Sequence, residues 1–382
     1  MRREKEIKME ENFLIIIGTI PWILLLMFVF YVMNSKVPDS QKIKSIYLVV
    51  LIFMSLRYGI GYDYYSYRAA VEGKAPEYIT ERYELLPRTL AFFSRGIHYQ
   101  VFFIITSLLS LTPIFIVCKR MSIAPAMSFV VFLLYPQFFF ESLGAIRNAV
   151  AYSFVFLMFY YLYNKKYLKM ILSYLVALGF HSSAIMAIFI IPLFFLLKRR
   201  SVHVTLYLIS FILSQFLVSI VTVIFDNSIL MYRFSYYVNA EDAFKGGGMI
   251  SIIINLIGIF NLIYWNRLYG YNKLNEKLLP IINVGVCMWN AFLAISPVFA
   301  IRFSLFYLYF LILLAPTYSL ALRRINPLVN KRIIYMFCSS LFLFSFALQF
   351  YNYYELGIHM SNIPYQLFFL HSDQFSTSGF ID

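Results

Sequence analysis

The chain carries little charge. Only 13% of its 382 residues are Asp, Glu, Lys or Arg, about half the share usual in soluble domains, while 61% are hydrophobic. That balance excludes a soluble globular fold. Acidic residues are the scarcer sign, 18 against 32 basic, for a net charge of +14. The basic residues stand in short clusters between apolar runs and not along a stripe, which argues against nucleic acid as a partner. The three cysteines, Cys118, Cys287 and Cys338, fall inside apolar segments with no ligand spacing, which argues against a disulfide framework or a zinc site. Glycine-rich phosphate loops, His-x-x-His pairs and Asp-x-Asp pairs are absent. Their absence removes ATP-driven transport and argues against a nucleotide-sugar enzyme whose diphosphate is held by metal. Internal repeats and low-complexity linkers are missing too.

What the chain has is long apolar runs, many of ~18 residues or more, each enough to cross ~30 Å of hydrocarbon. Twelve candidate spans follow, near residues 12–33, 46–58, 101–118, 124–140, 147–163, 168–180, 182–197, 204–225, 250–266, 279–296, 303–320 and 333–350. The expected fold class is all-α, a polytopic helical membrane protein forming a single transmembrane domain over 1–382. The first run shows no small-residue cleavage site after it, so it is expected to stay as a span. Basic clusters follow alternate spans: Lys36/Lys42/Lys44, Lys119/Arg120, Lys165/Lys166/Lys169, Lys198–Arg200, Arg267/Lys273/Lys277 and Arg323/Arg324/Lys331/Arg332. The positive-inside rule assigns that side to the cytoplasm. Both termini and the segments 59–100, 226–249 and 351–382 are then expected outside. Arg2, Arg3, Lys5 and Lys8 run against this orientation for the first span.

The stretch 168–197 breaks the pattern. As one helix it would be ~45 Å long, too long for a single crossing without extreme tilt. A break at Gly179 restores the charge alternation and yields two short helices meeting at Phe180–His181–Ser182. The turn is then expected to be recessed below the outer surface. Irregular backbone is tolerated at that depth only where protein packs around it or a cavity opens beside it.

Charged or titratable side chains at membrane depth are costly and are functional candidates by default. Arg147 heads a helix where an outer segment enters the membrane. Free backbone amides and the helix dipole favour anions there, and a guanidinium adds a bidentate phosphate grip, snorkelling to headgroups being the alternative. His181 lies at the predicted break, where it suits either proton removal from a hydroxyl or a structural hydrogen bond. Arg302 opens another span on the outer side, followed by Tyr307, and a second guanidinium makes a diphosphate clamp possible. Arg57 and Asp63 flank two glycines that permit a tight turn, so they form either a structural ion pair or a sugar and phosphate contact. Glu84 and Arg88 have the spacing of a helix-surface pair. With Glu81 and Arg82 they make an interfacial helix, unless Glu84 turns inward to accept from sugar hydroxyls. Arg233, among Tyr232, Tyr236 and Tyr237, fits sugar stacking or an aromatic belt.

Taken in order, these residues resemble the EpsG/Wzy-type family of membrane polysaccharide polymerases. The run Arg57-x-Gly59-x-Gly61-x-Asp63-Tyr64-x-x-Tyr67 resembles that family's outer-loop signature, and Glu84-Leu85-Leu86 its acidic motif. Gly144-x-x-Arg147-Asn148-x-x-Ala151 is similar to its arginine motif and Phe180-His181-Ser182-Ser183-Ala184 to its histidine motif. Arg302 with Tyr307, and Pro364-Tyr365, resemble late elements. Asn148 stands where glutamine is common and Tyr62 where threonine is common. The resemblance covers essentially the whole chain. It implies a membrane-embedded glycosyltransferase bundle of GT-C type, without metal or other cofactor. It also implies joining of oligosaccharide repeats carried on undecaprenyl diphosphate, at the outer face of the cytoplasmic membrane. A chain-length regulator and a flippase are the protein partners implied.

In that reading His181, Arg147 and Arg302 are catalytic, and Arg57, Asp63, Tyr64, Glu84, Arg88, Arg233 and Tyr307 bind substrate. The first rival is a flippase or other transporter of lipid-linked oligosaccharide. It should show repeat symmetry and polar residues on both sides of the midplane, whereas here they gather on one side. The second rival is a ligase or acyltransferase modifying the same polymer.

Overall fold

The computed structural model describes residues 2–196, 198–225, 247–322, 331–356 and 362–370. They fall into two compact units, Met1–Ser182 with Lys331–Asp382, and Ser183–Asn330. Arg233 and its neighbouring tyrosines lie outside the described residues. Each of the twelve apolar runs overlaps a helix or a pair of helices among the described residues, the run at 46–58 passing at its end into the short strand Arg57–Tyr58. Four described helices are long and apolar enough to cross a membrane, within Ile15–Asn34, Tyr99–Met121, Arg200–Leu217 and Arg332–Tyr351, or up to six if each of two bent pairs is one span.

In the first unit the chain runs through α1 (Arg2–Asn34), α2 (Asp39–Ser55), strand β1 (Arg57–Tyr58), α3 (Tyr64–Glu72), α4 (Glu77–Thr80) and α5 (Leu85–Arg95). It continues through α6 (Tyr99–Met121), α7 (Pro125–Leu134), α8 (Pro136–Gly144), α9 (Ile146–Tyr163) and α10 (Tyr167–Phe180). The segment 59–100, expected as an outer loop, thus carries three helices of its own. The run at 124–140 is not one straight helix either, because α7 and α8 are bent by 65°. Tyr135 sits between them in an extended conformation, as a residue ahead of proline is pushed to do by the ring of Pro136.

The break foreseen near Gly179 is present. Helix α10 ends at Phe180, His181 is extended (φ −154°, ψ 126°), and a 3₁₀ helix, Ser182–Phe189, follows. The second unit takes over at Ser183. Its helices are α11 (Ile190–Phe195), α12 (Arg200–Phe225), α13 (Gly247–Ile263), α14 (Trp265–Tyr269), α15 (Asn275–Leu293), α16 (Pro297–Leu308) and α17 (Leu311–Leu322). The pair α16 and α17 is bent by 60°.

Inside the second unit, apolar packing alone would leave helix register loosely set, and hydrogen bonds across helices specify it. Asn255 of α13 and Asn290 of α15 exchange amide hydrogen bonds at 2.9 and 3.0 Å. The Tyr207 hydroxyl of α12 donates to Asn255 at 2.8 Å, and Trp289 Nε1 donates to the Ser251 hydroxyl at 2.7 Å.

The first unit is closed by the chain's end. Helix α18 (Lys331–Leu356) returns to it, and strand β2 (Gln366–Leu367) pairs antiparallel with β1, Arg57 opposite Leu367 and Tyr58 opposite Gln366. Just ahead of β2, Tyr365 stacks on Phe53 with ring centroids 4.2 Å apart. Its hydroxyl donates to the Phe53 carbonyl at 2.8 Å, and its amide donates to the Gly18 carbonyl at 2.9 Å. Beside it the fully buried Trp22 meets Phe53, Phe140 and Phe346 at 4.8, 5.7 and 5.6 Å. These rings join α1, α2, α8, α18 and the tail. Offset and edge-on aromatic pairs of this kind contribute about 0.5–1.5 kcal/mol each beyond the area they bury.

Tyr365→Phe keeps the stacking and removes one hydrogen bond, so a loss of about 1 kcal/mol is expected. Tyr365→Ala also empties the ring's site and is expected to cost about 3–5 kcal/mol. Thermal melts of the detergent-solubilised protein should rank the two in that order.

Candidate active site

Local backbone chemistry prepares the site. Gly59 and Gly61 have positive φ, 69° and 98°, conformations that only glycine adopts without strain. A Cβ on Gly61 would lie 2.2 Å from the Leu143 carbonyl oxygen, and one on Gly144 would lie 2.3 Å from the ring of Tyr62. The glycine-rich turn after β1 is therefore pressed flat against the end of α8, immediately ahead of Arg147. Gly179 plays the matching part on α10. A Cβ there would come within 2.7 Å of the Leu86 side chain on α5, so this close approach brings the end of α10 up to the head of α5.

Glu84, the residue that caps α5, stands between the two contacts. Its Oε2 accepts from Arg147 Nη1 at 2.8 Å. Its Oε1 accepts from the Ser182 amide at 2.9 Å and the Ser182 hydroxyl at 3.2 Å. One carboxylate thus ties the first turn of α9 to the helix break after His181. Burial opposes its charge, but His181, Arg147 and the Ser182 amide outweigh burial and hold the Glu84 pKa below its ordinary value. His181 is accordingly close enough to act on Glu84 through its field.

Arg147 is held on several sides. Nε donates to the Tyr67 hydroxyl at 3.3 Å, Nη1 also donates to the Arg82 carbonyl at 3.1 Å, and the guanidinium lies 4.6 Å from the centre of the Tyr83 ring. A cation over a ring face gains from its quadrupole. None of these hydrogen bonds uses Nη2. Burial raises the Tyr67 and Tyr83 pKa values, and nearby Asp63 adds to the rise in both. Asp63 heads α3, where its carbonyl accepts from the Tyr67 amide at 3.0 Å. The structure brings together Asp63, Glu84, Arg147 and His181 of the expected residues, with Tyr67, Tyr83 and Ser182 around them.

Three of the other expected residues belong to the packing of the first unit. Arg57 is 1% exposed and donates to the carbonyls of Met54 and Leu143 and to the Ser107 hydroxyl. Its side chain is spent on holding β1 against α6 and α8, which favours the structural role over sugar or phosphate contact and replaces the ion pair foreseen with Asp63. Tyr64 is fully buried and stacks on Phe103 at 4.3 Å, a core side chain as it stands. Arg88 does not pair with Glu84 but donates to the carbonyls of Thr80 and Glu81 at 3.3 and 3.0 Å. Arg302 and Tyr307 belong to the second unit. There Arg302 is half-buried on α16, and the buried Tyr307 donates its hydroxyl to the Met186 carbonyl of the 3₁₀ helix.

Tyr83 is a further member of the cluster. Its only sequence signal is adjacency to Glu84, and its role depends on folding beneath a guanidinium from residue 147. Among the described residues no three His, Cys, Asp or Glu side chains gather as a metal site requires.

Apolar helices of spanning length, with a charged node assembled at helix ends, define the class as a helical membrane protein. The chain matches the EpsG family over residues 43–367 and belongs to it, a family of polysaccharide-polymerase-type membrane proteins acting on lipid-linked substrate. No curated protein and no solved structure matches the chain.

Two outcomes test this geometry. Gly61→Ala forces a positive-φ alanine against backbone and should destabilise the protein by at least about 1–3 kcal/mol, whereas Gly96→Ala, whose nearest contact would be at 3.6 Å, should change the melting temperature little. The second concerns pH. Because the Glu84 pKa is depressed in the folded chain, its stabilisation is complete above the ordinary value of 4.5 and is lost as pH falls through the lowered one. The gap in melting temperature between the native protein and Glu84→Gln should therefore be wide at neutral pH and close in acid.

Proposed function

We propose that the protein polymerises oligosaccharide repeats carried on a lipid diphosphate, undecaprenyl diphosphate, at the outer face of the cytoplasmic membrane. The observation that carries this reading is the single Glu84 carboxylate holding both Arg147 and the His181–Ser182 turn. It fixes a phosphate-type cation beside a titratable imidazole. In the reaction, the bond between the anomeric carbon of the growing chain and its diphosphate oxygen breaks, and the electron pair leaves on the diphosphate. The acceptor hydroxyl of the incoming repeat forms the new bond to that carbon, and its proton passes to His181. Arg147 meets the charge that develops on the departing diphosphate. Asp63 lies where it can orient sugar hydroxyls. The diphosphate is already a competent leaving group, so a guanidinium and a base suffice and the scheme requires no metal.

The proposed centre is drawn from the first unit alone. A transporter reading gains less from these residues, because a carboxylate locked by an arginine and a backbone amide is a fixed frame and not an alternating gate.

Complementation of a deletion strain, with the length of the lipid-linked polymer as the readout, tests the proposal. Arg147→Lys supplies only a point charge and should slow transfer on the order of 10²-fold, the cost typical of losing one preorganised donor to a developing anion. His181→Ala should cost on the order of 10²–10⁴-fold, the usual worth of a general base. Both should accumulate single repeats on lipid. Full-length polymer left unattached would instead identify a ligase, and absence of lipid-linked repeats from the outer face a transporter.

A further inference from the structure

Helix α5 carries Glu84 at its head, and its outward side is strongly apolar. Leu85, Phe92 and Phe93 are 74%, 69% and 66% exposed, and Ile97 just past its end is 74% exposed, while Pro87, Ala91 and Ser94 are buried against the first unit. At 11 residues the helix is only ~16 Å long, too short to cross a bilayer. An amphipathic helix of this kind buries its apolar side in the boundary between headgroups and acyl chains.

Two neighbours say what covers that side. Helix α6 starts at Tyr99, three residues after Gly96, and its 23 residues form one of the candidate spans. Its start is fixed by His98, whose Nδ1 accepts from the Gln100 amide at 3.1 Å. A span begins at the membrane boundary, and a link of three residues reaches at most ~10 Å, so α5 stays near that boundary. On its other flank α5 packs on α10 through Leu86 and Gly179. Along its length α10 exposes the apolar side chains Leu168, Ile171, Leu172 and Leu175.

We infer that α5 lies along the membrane surface with Leu85, Phe92 and Phe93 in lipid, so that the Glu84–Arg147–Ser182 node stands at the level of lipid phosphates. The ligand suited to that level is an amphiphile whose anionic group rides just outside the hydrocarbon. It would reach Arg147 by lateral diffusion, its tail remaining in the bilayer. The identity of that amphiphile as a lipid diphosphate rests on the reaction proposed above. The depth of α5 does not.

The test uses the full chain in proteoliposomes, with Cys118, Cys287 and Cys338 replaced by alanine and a fluorophore on Leu85→Cys, Phe92→Cys or, as the control, the exposed Glu77→Cys. Labels at 85 and 92 should lose fluorescence to a nitroxide on the lipid headgroup and be shielded from iodide, while the label at 77 loses it to iodide. Iodide quenching at 85 and 92 equal to that at 77 would put α5 in water and overturn the inference. Stronger quenching by a mid-chain nitroxide would sink the helix into the core and overturn it as well. Should the cysteine-free chain fail to fold, photolabelling of the native protein discriminates in the same way. A lipid with a carbene precursor at headgroup level should modify Phe92 and Phe93, and their escape from labelling would refute the placement. Lipid contact at α5 with a fully active Arg147→Lys variant would leave the depth standing and remove Arg147 from the proposed reaction. Labels in water with an inactive variant would do the reverse.

Discussion

A carboxylate shared between a guanidinium and a backbone amide holds the first unit's functional end together. Glu84 is positioned by its place at the head of α5, Arg147 by the first turn of α9, and Ser182 by the break after α10. These three points are separated by 63 and 98 residues of chain from Glu84. In an apolar environment each charge would be costly alone, and removal of one partner from such a pair leaves the other uncompensated. The constraint is therefore mutual. Glu84 makes Arg147 tolerable, Arg147 and the Ser182 amide keep Glu84 ionised, and the turn containing His181 is ordered because its first amide has a partner.

The packing around this node works by close approach at glycine. The turn through Gly59 and Gly61 lies flat on residues 143–144, and Gly179 admits Leu86. The strand pair β1–β2 pins the near end of the glycine turn from the opposite direction, and buried Arg57 satisfies the carbonyls exposed where α2 stops. An arginine used in this way is a structural bracket. Its guanidinium gathers carbonyls from α2 and from α8, so the cation that the sequence offered for substrate is consumed in setting the platform on which Arg147 stands.

The helices were legible in the sequence because their signal is local. Runs of apolar residues mark them, and the break at His181 followed from length and charge alternation alone. The bend at Tyr135 had its own local cause in Pro136, yet an apolar run reads through it without a change in hydropathy. The three helices within 59–100 were less visible, since α3 and α4 are short and polar and only the alternating sides of α5 show up as a pattern. Of the site, the residue types were legible and their partnerships were not. Glu84 with Arg88 satisfies the rule for helix neighbours, and Arg57 with Asp63 satisfies the rule for a tight turn. Both pairings lose to partners that only the fold supplies, Arg147 and Ser182 for Glu84, and three elements for Arg57. Tyr83 under the Arg147 guanidinium had no sequence signal beyond its position next to Glu84.

The pairing of Glu84 with Arg147 also bears on how an anion would bind. A guanidinium already neutralised by a carboxylate attracts a diphosphate less than a lone one does, so long-range attraction is weak and geometry has to carry recognition. Here the geometry is favourable. Nε and Nη1 are anchored by Tyr67, Glu84 and the Arg82 carbonyl, and the Tyr83 ring lies against the guanidinium, so Arg147 presents its guanidinium without further loss of side-chain freedom. On the proposed reaction, the same arrangement spares the ground state and rewards the transition state. The diphosphate gains negative charge as the sugar departs, which Arg147 meets, and His181 gains positive charge as it takes the acceptor's proton, so a fixed Glu84 near the imidazole helps the imidazolium more than the neutral ring. Binding that strengthens as the reaction proceeds is what lowers a barrier, and a node whose net charge is near zero before the reaction is well suited to it.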